Sequence, residues 1–518
     1  MTRQTFFAGA FILIIAGLIT RILGFINKIV MARVMGSEGM GLYMMAVPSL
    51  LLIITLTQLG LPVAISKLIA EAEARGEHER KKRILVISLI VTGSLSAVLT
   101  TAMLAAAPLL ASILLTDTRA LYPLLAIIPI VPIVALSAVL RGYFQGMQNM
   151  RPIAYSQVIE QVVRIALVAF CTSIFLPFGV EYAAAGAMIS VVAGELASLL
   201  YVIYVFKNKK TMRIRENFFS GLKSGKRTLQ DLMTIALPTT GSRLVGSVSQ
   251  FLEPIIVAQS LAIAGVATVT ATSQYGELVG FVVPLLFLPS FITQSLSVSL
   301  VPAISEAHSK GDYATIQKRL QQTTKVALLS GGISVVILYV FAVPILSLMY
   351  DAPQAAVYLK VIAPFCIFLY FQMPLQSVLQ ALNLAKAAMY NSLIGAGVKM
   401  TAIAFLASRP ELGIMGAALA ICASLMIVTL LHFISVSRAV GFTLKVKDWT
   451  GTLLVTILTA GVAIHSFRSF ISSEDEMLVG TIISLTITVI FYMMGLILFR
   501  LLPIKNISRI PFLQSFFR

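Results

Sequence analysis

The chain has 518 residues, of which 58% are hydrophobic and only 12% are charged, and its mean hydropathy is +0.94. A soluble protein of this length needs about a quarter of its residues charged to cover its surface, so the composition excludes a soluble protein and predicts a multi-pass membrane protein. The net charge of +18 is carried by short loops and does not predict nucleic-acid binding. The three cysteines and four histidines show no ligand spacing, so we predict no metal site and no cofactor.

Fourteen apolar stretches are long enough to cross a bilayer as helices of about 20 residues. The sequence therefore predicts an all-α integral membrane protein. We interpret the N-terminal TRQTFFAGAFILIIAG as the start of the first span, because no convincing cleavage site follows it. In chain order the stretches lie near 7–33, 41–68, 84–114, 120–148, 153–177, 182–206, 229–259, 270–304, 323–350, 355–381, 387–408, 412–437, 446–468 and 477–501.

Lysine and arginine predict the orientation of these spans. Basic residues follow the second, sixth, eighth, twelfth and fourteenth spans, and the longest of these connections covers 207–228. The other connections, such as Ser37–Gly39 and Asp117–Arg119, are short and poor in basic residues. By the positive-inside rule, both termini are cytoplasmic in a cell-membrane protein.

The chain repeats itself after six spans. Because six is an even number, both copies enter the membrane in the same sense, as parallel repeats do. The spans thus form two parallel six-helix lobes plus two C-terminal helices. The matching segments are 145–170 with 380–405 (offset 235), 21–24 with 243–246 (offset 222), 64–66 with 303–305 (offset 239) and 185–187 with 415–417 (offset 230).

These observations predict a domain organisation in four parts. An N-lobe covers 1–206, a cytoplasmic linker covers 207–228, and a C-lobe covers 229–440. The last two helices and a cytoplasmic tail cover 441–518. Prolines inside the second and eighth spans predict bends at which the mouths of a central cavity open and close.

Ionisable residues inside apolar spans cost about 2.5–3.5 kcal/mol each on insertion scales, so we expect them to be paired or functional. Several have a structural alternative that stays open: Glu160 and Arg164 fit an ion pair at i,i+4, and Lys28 and Arg141 could extend to the membrane interface. The candidate substrate-binding residues are Arg21, Asn27, Lys28, Arg164, Arg243, Gln250, Glu253 and Lys399.

Arg21 and Arg243 are the most informative of these candidates, since each lies well inside a span and they occupy equivalent places in the two repeats. Facing each other across a two-fold axis, they would form a cationic pocket. Each arginine–phosphate contact at about 5 Å contributes roughly 3 kcal/mol at an effective dielectric constant near 20. Arginine also matches phosphate bidentately, so the predicted ligand is a lipid-linked diphosphate whose tail stays in the bilayer.

Three segments carry a resemblance to a known family: TRILGFINKIVMARVMGS from Thr20, GLYMMAVPSLLLI from Gly41, and Ala64-Ile-Ser66 with the basic loop after it. The chain resembles the MOP exporter superfamily, in its branch of polysaccharide transporters and MurJ-type lipid II flippases, and within that branch the sporulation proteins of endospore-forming Firmicutes. The resemblance implies fourteen helices, a V-shaped cavity, and alternating access that moves undecaprenyl-diphosphate-linked sugars outward for spore cortex peptidoglycan. It further implies a monomer that contacts membrane lipids and cell-wall synthesis proteins.

The first span departs from the MurJ-type motif RVLGFxRD, whose arginines and acid line the cationic cavity. Arg21 matches its first arginine, whereas Asn27 stands in place of the second arginine and Lys28 in place of the acid. The resemblance therefore implies a basic cavity with a shifted charge.

Two other transport functions stay open, namely a MATE-type drug/cation antiporter and an exporter of another polysaccharide precursor. A cation antiporter would need acids in the central cavity, whereas the first span carries Arg21 and Lys28. An enzyme would need an acid or histidine cluster in a large extracytoplasmic loop, so we predict that the protein is not an enzyme. The sequence also has no phosphate-binding loop of the Gly-x-x-x-x-Gly-Lys-Ser/Thr type, so ATP hydrolysis within the chain is not expected.

Overall fold

The structure is a computed structural model that describes residues 6–208, 225–470 and 477–501. In those residues the regular elements are helices, which confirms the predicted all-α class. The α-helices in chain order are α1 (Phe6–Gln58), α2 (Leu61–Ala74), α3 (His78–Leu109), α4 (Leu121–Ile127), α5 (Ile130–Gly146), α6 (Arg151–Phe175), α7 (Val180–Asn208), α8 (Gly225–Ile263), α9 (Thr268–Tyr275), α10 (Val283–Phe287), α11 (Ser290–Ser309), α12 (Tyr313–Val340), α13 (Ala342–Tyr350), α14 (Ala356–Ile362), α15 (Cys366–Ala381), α16 (Ala385–Leu406), α17 (Ile414–Val440), α18 (Val446–Phe470) and α19 (Met477–Leu498).

The described helices agree with the predicted spans. Twelve segments are long and apolar enough to cross a membrane, and a thirteenth is the pair Thr268–Phe287 and Ser290–Ser309, bent by 54°. One of the twelve, Ile15–Ala74, contains the first two predicted spans. They meet inside α1 at Gly36, whose φ of 66° and ψ of −170° interrupt the helical backbone. This backbone conformation is open to glycine and strained for other residues. The predicted connection at Ser37–Gly39 is thus helical, and the change of direction takes place one residue earlier.

The described chain forms two compact units, Met1–Gly280 and Phe281–Arg518. The core of the first unit is built by α2, α3, α5 and α7 around Tyr143 and Phe144, whose rings meet Phe206 edge to face. Leu232 and Ala236 at the start of α8 are fully buried in the same core. The first unit therefore holds the first seven predicted spans and the first part of the eighth, 270–304, which the limit at Gly280 divides. The predicted lobe limits, 1–206 and 229–440, stay a prediction.

The second unit packs α11, α12, α15 and α17 around a core that includes Phe371 and Leu375. The two C-terminal helices dock on α12: the Tyr492 hydroxyl donates to the carbonyl oxygen of Leu329 at 2.7 Å, and Phe467 meets Phe341 edge to face. Most of the predicted linker 207–228, namely 209–224, and the tail from 502 to 518 lie outside the described residues.

Equivalent residues of the two repeats occupy similar environments. A Cβ at Gly186 would lie 3.0 Å from the Cys171 carbonyl oxygen, and a Cβ at Gly416 would lie 2.6 Å from the Leu406 carbonyl oxygen. Each glycine thus lets the later helix approach the end of the helix before it. Likewise, Tyr155 and Tyr390 are both 57% exposed. Each unit by itself therefore shows the pattern expected of a repeat.

Candidate functional site

The first predicted span carries a cationic face. Arg21, Gly24 and Lys28 are spaced i, i+3 and i+7, so they share one face of α1. Arg21 is exposed and Lys28 half-buried, and within the described part of the chain neither forms an ion pair. Beside them Asn27 is only 5% exposed, and its Oδ1 has no hydrogen-bond partner among the described residues. Two cations and an unsatisfied amide oxygen thus lie within two turns.

This face of α1 packs against α6. A Cβ at Gly24 would lie 3.9 Å from Oε1 of Gln161, and that oxygen is buried without a partner in the described residues. Since Gly24 lies between Arg21 and Lys28, both cations flank the contact with α6. Further along α1, Tyr43 lies close enough to Arg164 of α6 to interact with it electrostatically.

A cluster of four charged side chains joins α5, α6 and α7, and we call Arg141, Glu160, Arg164 and Glu195 the charge cluster. Nη2 of Arg164 lies 2.6 Å from Glu160 Oε1, so the intrahelical ion pair left open by the sequence is formed. Nη2 of Arg141 lies 3.5 Å from Glu160 Oε2 and 3.0 Å from Glu195 Oε1. The same atom donates to the Ser198 hydroxyl at 2.9 Å.

The sequence brings these helices together through a glycine. A Cβ at Gly194 would lie 2.8 Å from the carbonyl oxygen of Glu160, so α7 can approach α6 this closely only with glycine at that position. The next residue is Glu195, which thereby comes within reach of Arg141 on α5. Two donors of the charge cluster still lack an acceptor, since Nε of Arg141 and Nε of Arg164 are buried without partners in the described residues.

The candidates on α8 lie on a second polar face. Arg243, Ser247 and Gln250 are spaced i, i+4 and i+7, and the Ser247 hydroxyl lies 2.7 Å from that of Thr55 in the second half of α1. Arg243 and Gln250 are exposed and flank that contact with α1. Glu253 lies close enough to Tyr275 to interact electrostatically.

The structure therefore connects part of the predicted site. Arg21, Asn27 and Lys28 lie on the helix that packs against the helix carrying Arg164, all within the first unit. Arg164 forms an ion pair with Glu160, which was not among the candidates. Lys399, half-buried on α16, belongs to the second unit. The clamp between Arg21 and Arg243 stays a prediction.

Sequence reasoning missed three members of the charge cluster as site residues, namely Arg141, Glu160 and Glu195. Arg141 and Glu195 are 54 residues apart on different helices, and only the packing of α5 against α7 brings them together. The signal present in the sequence was their charge inside apolar spans. That signal shows that a partner is needed but does not identify it.

The second half of α1 crosses α9 at very short distance, and we call the contact of Ser37–Gly41 with Thr272–Gly276 the glycine crossing. A Cβ at Gly41 would lie 2.0 Å from the Thr272 carbonyl oxygen, and a Cβ at Gly276 would lie 2.0 Å from the Ser37 carbonyl oxygen. The Ser37 and Ser273 hydroxyl oxygens are 2.7 Å apart. Only glycine permits backbones to approach this closely.

Asp117, which is 3% exposed, supports the glycine crossing from the loop between the third and fourth spans. Its carboxylate accepts from the Thr272 hydroxyl at 2.8 Å and from Nη2 of Arg119 at 2.8 Å, and Arg119 also contacts Glu38. Burial alone would raise the pKa of Asp117. The hydrogen bonds from Arg119 and Thr272 outweigh that effect and hold the pKa below its usual value.

Comparison with protein families identifies the family to which the chain belongs. The family model described as "Polysaccharide biosynthesis protein" matches residues 6–308. The chain belongs to the polysaccharide biosynthesis protein family. The model described as "MatE" matches residues 254–406. The predicted resemblance to the MOP superfamily and its polysaccharide-transporter branch is confirmed, and the protein is a multi-pass membrane transporter of that superfamily.

Individual relatives cover almost the whole chain. It is 58% identical over 513 residues to "Stage V sporulation protein B" of Bacillus subtilis (strain 168), with 99% of this chain and 98% of that protein covered. It is 25% identical over 515 residues to "Lipid II flippase MurJ" of the same organism, with 92% and 91% covered.

Two solved structures show the same fold. "Lipid II flippase MurJ, inward closed conformation" matches with a TM-score of 0.71 at 17% identity and covers 94% of this chain and 98% of that one. An inward-facing MATE family transporter of the MOP superfamily matches with a TM-score of 0.66 at 17% identity, covering 82% and 94%.

Proposed function

We propose that this protein is a flippase for a lipid-linked diphosphate glycan, an undecaprenyl-diphosphate-linked peptidoglycan precursor of the lipid II type. It moves this cargo outward across the cell membrane by alternating access, with both termini cytoplasmic, and it serves spore cortex synthesis. In this proposal the protein transports without catalysing a reaction.

The cationic face of α1 is the observation that carries the proposal. Arg21 and Lys28 lie inside a membrane span and have no ion pair in the described residues, although an isolated charge there is costly. A substrate that brings its own negative charge would offset that cost. A diphosphate does so and accepts bidentate hydrogen bonds from a guanidinium group.

The relatives support the class of substrate. The name of the Bacillus subtilis relative at 25% identity states that it flips lipid II, and the relative at 58% identity is named as a sporulation protein. Transferring the cargo of the first and the physiological setting of the second to this chain is part of the proposal.

A cation antiporter is the second candidate, and the MatE match over residues 254–406 favours it. Such a protein would present acids to a cationic substrate. Arg21 and Lys28 on α1 have the opposite sign, so we favour the anionic lipid. Uptake of a cationic dye into proteoliposomes, compared with flipping of an isoprenyl diphosphate, distinguishes the two functions.

Substitution of Arg21 and Arg243 tests the proposal in cells that lack their own copy of the transporter. Loss of a contact of roughly 3 kcal/mol lowers cargo affinity about a hundredfold, so Arg21→Ala and Arg243→Ala should each abolish complementation at normal membrane abundance. Arg21→Lys should restore it only in part, because an ammonium group lacks the bidentate fork.

Arg75→Ala is the matched control, since Arg75 lies in a connection between spans with 64% of its side chain exposed. It should complement fully. Full complementation by both Arg21→Ala and Arg243→Ala would show that these arginines do not bind the cargo.

A further inference from the structure

The charge cluster contains two carboxylates that share one guanidinium nitrogen. Nη2 of Arg141 contacts Glu195 at 3.0 Å and Glu160 at 3.5 Å, so the two carboxyl groups lie on the same guanidinium nitrogen, and they are close enough to interact electrostatically. Carboxylates that share a site commonly hold one proton between them, because both cannot ionise easily.

The acid pair is not repeated in the second half of the chain. The offset of 235 residues that aligns 145–170 with 380–405 places Lys399 opposite Arg164, but it places Gly395 opposite Glu160. The second repeat therefore has a cation at the position of Arg164 but no acid at the position of Glu160. If the acid at position 160 served only to hold neighbouring helices together, we would expect an acid at the equivalent position of the second repeat as well.

Arg164 connects the acid pair to the cationic face of α1. Its Nη2 is held by Glu160 at 2.6 Å, while its Nε is buried without a partner in the described residues. Within the described residues, Tyr43 of α1 interacts electrostatically with Arg164, and its partner Glu160 also contacts Arg141 of α5, which in turn contacts Glu195 of α7. The strength with which Arg164 is held thus depends on whether Glu160 is ionised, since a neutral carboxyl accepts more weakly than a carboxylate.

We propose that Glu160 and Glu195 share one exchangeable proton, and that this proton controls whether Arg164 stays paired or is available to the anionic headgroup of the cargo. The anion's identity rests on the proposed function. The proton acts as a second ligand of the same site: when it binds, the acid pair carries one negative charge, and Arg164 gains freedom to donate to a diphosphate.

The sign of the coupling follows from linkage. If protonation raises the affinity for the anion, then binding of the anion must raise the affinity for the proton by the same factor. Diphosphate binding should therefore be tighter at lower pH and should take up a proton from solution. One charge-assisted hydrogen bond gained corresponds to an affinity change on the order of tenfold.

Infrared spectroscopy of the purified protein without cargo tests the shared proton by itself. The wild type should show the carbonyl band of a protonated carboxylic acid at neutral pH, and Glu160→Gln and Glu195→Gln should each lose it. Glu306→Gln is the control, since Glu306 is an exposed acid paired with Lys310, and the band should persist there. A wild-type band that is absent, or that persists in both cluster variants, overturns the proposal.

A binding titration with farnesyl diphosphate in detergent tests the consequence for Arg164. Wild type and Glu306→Gln should bind about tenfold more tightly as the pH falls. The pH of a weakly buffered solution should rise on binding, because the protein takes up a proton. Glu160→Gln should bind tightly at every pH tested without proton uptake. Binding that is independent of pH in the wild type overturns the coupling.

The two proposals fail differently. A carboxylic-acid band that depends on Glu160 and Glu195, in a protein that binds farnesyl diphosphate at no pH, would overturn the proposed function and the role of Arg164 while leaving the shared proton in place. Tight binding without the band would retain the function and overturn the shared proton.

Discussion

Adding one methyl group to the glycine crossing should open it. In Gly276→Ala the new Cβ would lie 2.0 Å from the Ser37 carbonyl oxygen and 2.6 Å from the Gly41 nitrogen, whereas real contacts of a Cβ essentially never fall below 3.0 Å. The two backbones must therefore separate by about 1 Å. Overpacking of this kind costs about 1–3 kcal/mol, which lowers the population of the closed contact on the order of 10- to 100-fold.

The Ser37 and Ser273 side chains provide the assay, since their hydroxyl oxygens are 2.7 Å apart and cysteines at these positions come within reach of a disulfide. The rate of disulfide formation in membranes should fall in Gly276→Ala by the factor given above. Gly93→Ala is the control, because a Cβ there meets nothing within 4 Å. An equal rate in both variants would show that α1 and α9 do not approach each other this closely.

Three further predictions concern the glycine crossing, Asp117 beside it, and the contact of Gly194 with α6. The disulfide between cysteines at 37 and 273 should block transport, and reduction should restore it; transport by the fully oxidised protein would show that the crossing need not open. Because hydrogen bonds hold the pKa of Asp117 below its usual value, its contribution to stability is present at neutral pH and is lost as the pH falls through that lowered pKa. The thermal unfolding temperature should therefore drop toward acid pH in the wild type and less in Asp117→Asn, and equal slopes would refute this. Gly194→Val should lower the free energy of unfolding by about 1–3 kcal/mol or more, because its Cβ would meet the Glu160 carbonyl oxygen at 2.8 Å, and melting as in Gly93→Ala would contradict it.

The sequence predicted the spans well because hydropathy is a local property. Each stretch of about 20 apolar residues is helical, although several are divided into two or more consecutive helices, and the connection predicted at Ser37–Gly39 lies one residue from the break at Gly36. What the pattern did not show is that the chain turns there by a single positive φ inside a continuous run of helix. The repeat was also readable, since Gly186 and Gly416 perform the same packing role.

The site was less readable because its contacts are tertiary. The Glu160–Arg164 pair could be predicted from its spacing of four residues on one helix, and it is formed. The contact of Arg141 with Glu195 depends on the close approach allowed by Gly194, and no local pattern indicates it. Equivalence in the repeat singled out Arg21 and Arg243, but equivalence alone fixes no distance between them.

Translocation by the purified protein in liposomes tests the central claim most directly. The cargo should be a lipid-linked diphosphate disaccharide, with wild type and Arg21→Ala compared in the absence of ATP. Each elementary charge that crosses 100 mV is worth roughly 2.3 kcal/mol, so an inside-negative potential should speed the outward movement of the anionic headgroup. We predict flipping by the wild type that the potential accelerates and that Arg21→Ala loses. Flipping that needs ATP, or that proceeds equally in Arg21→Ala, would contradict the account.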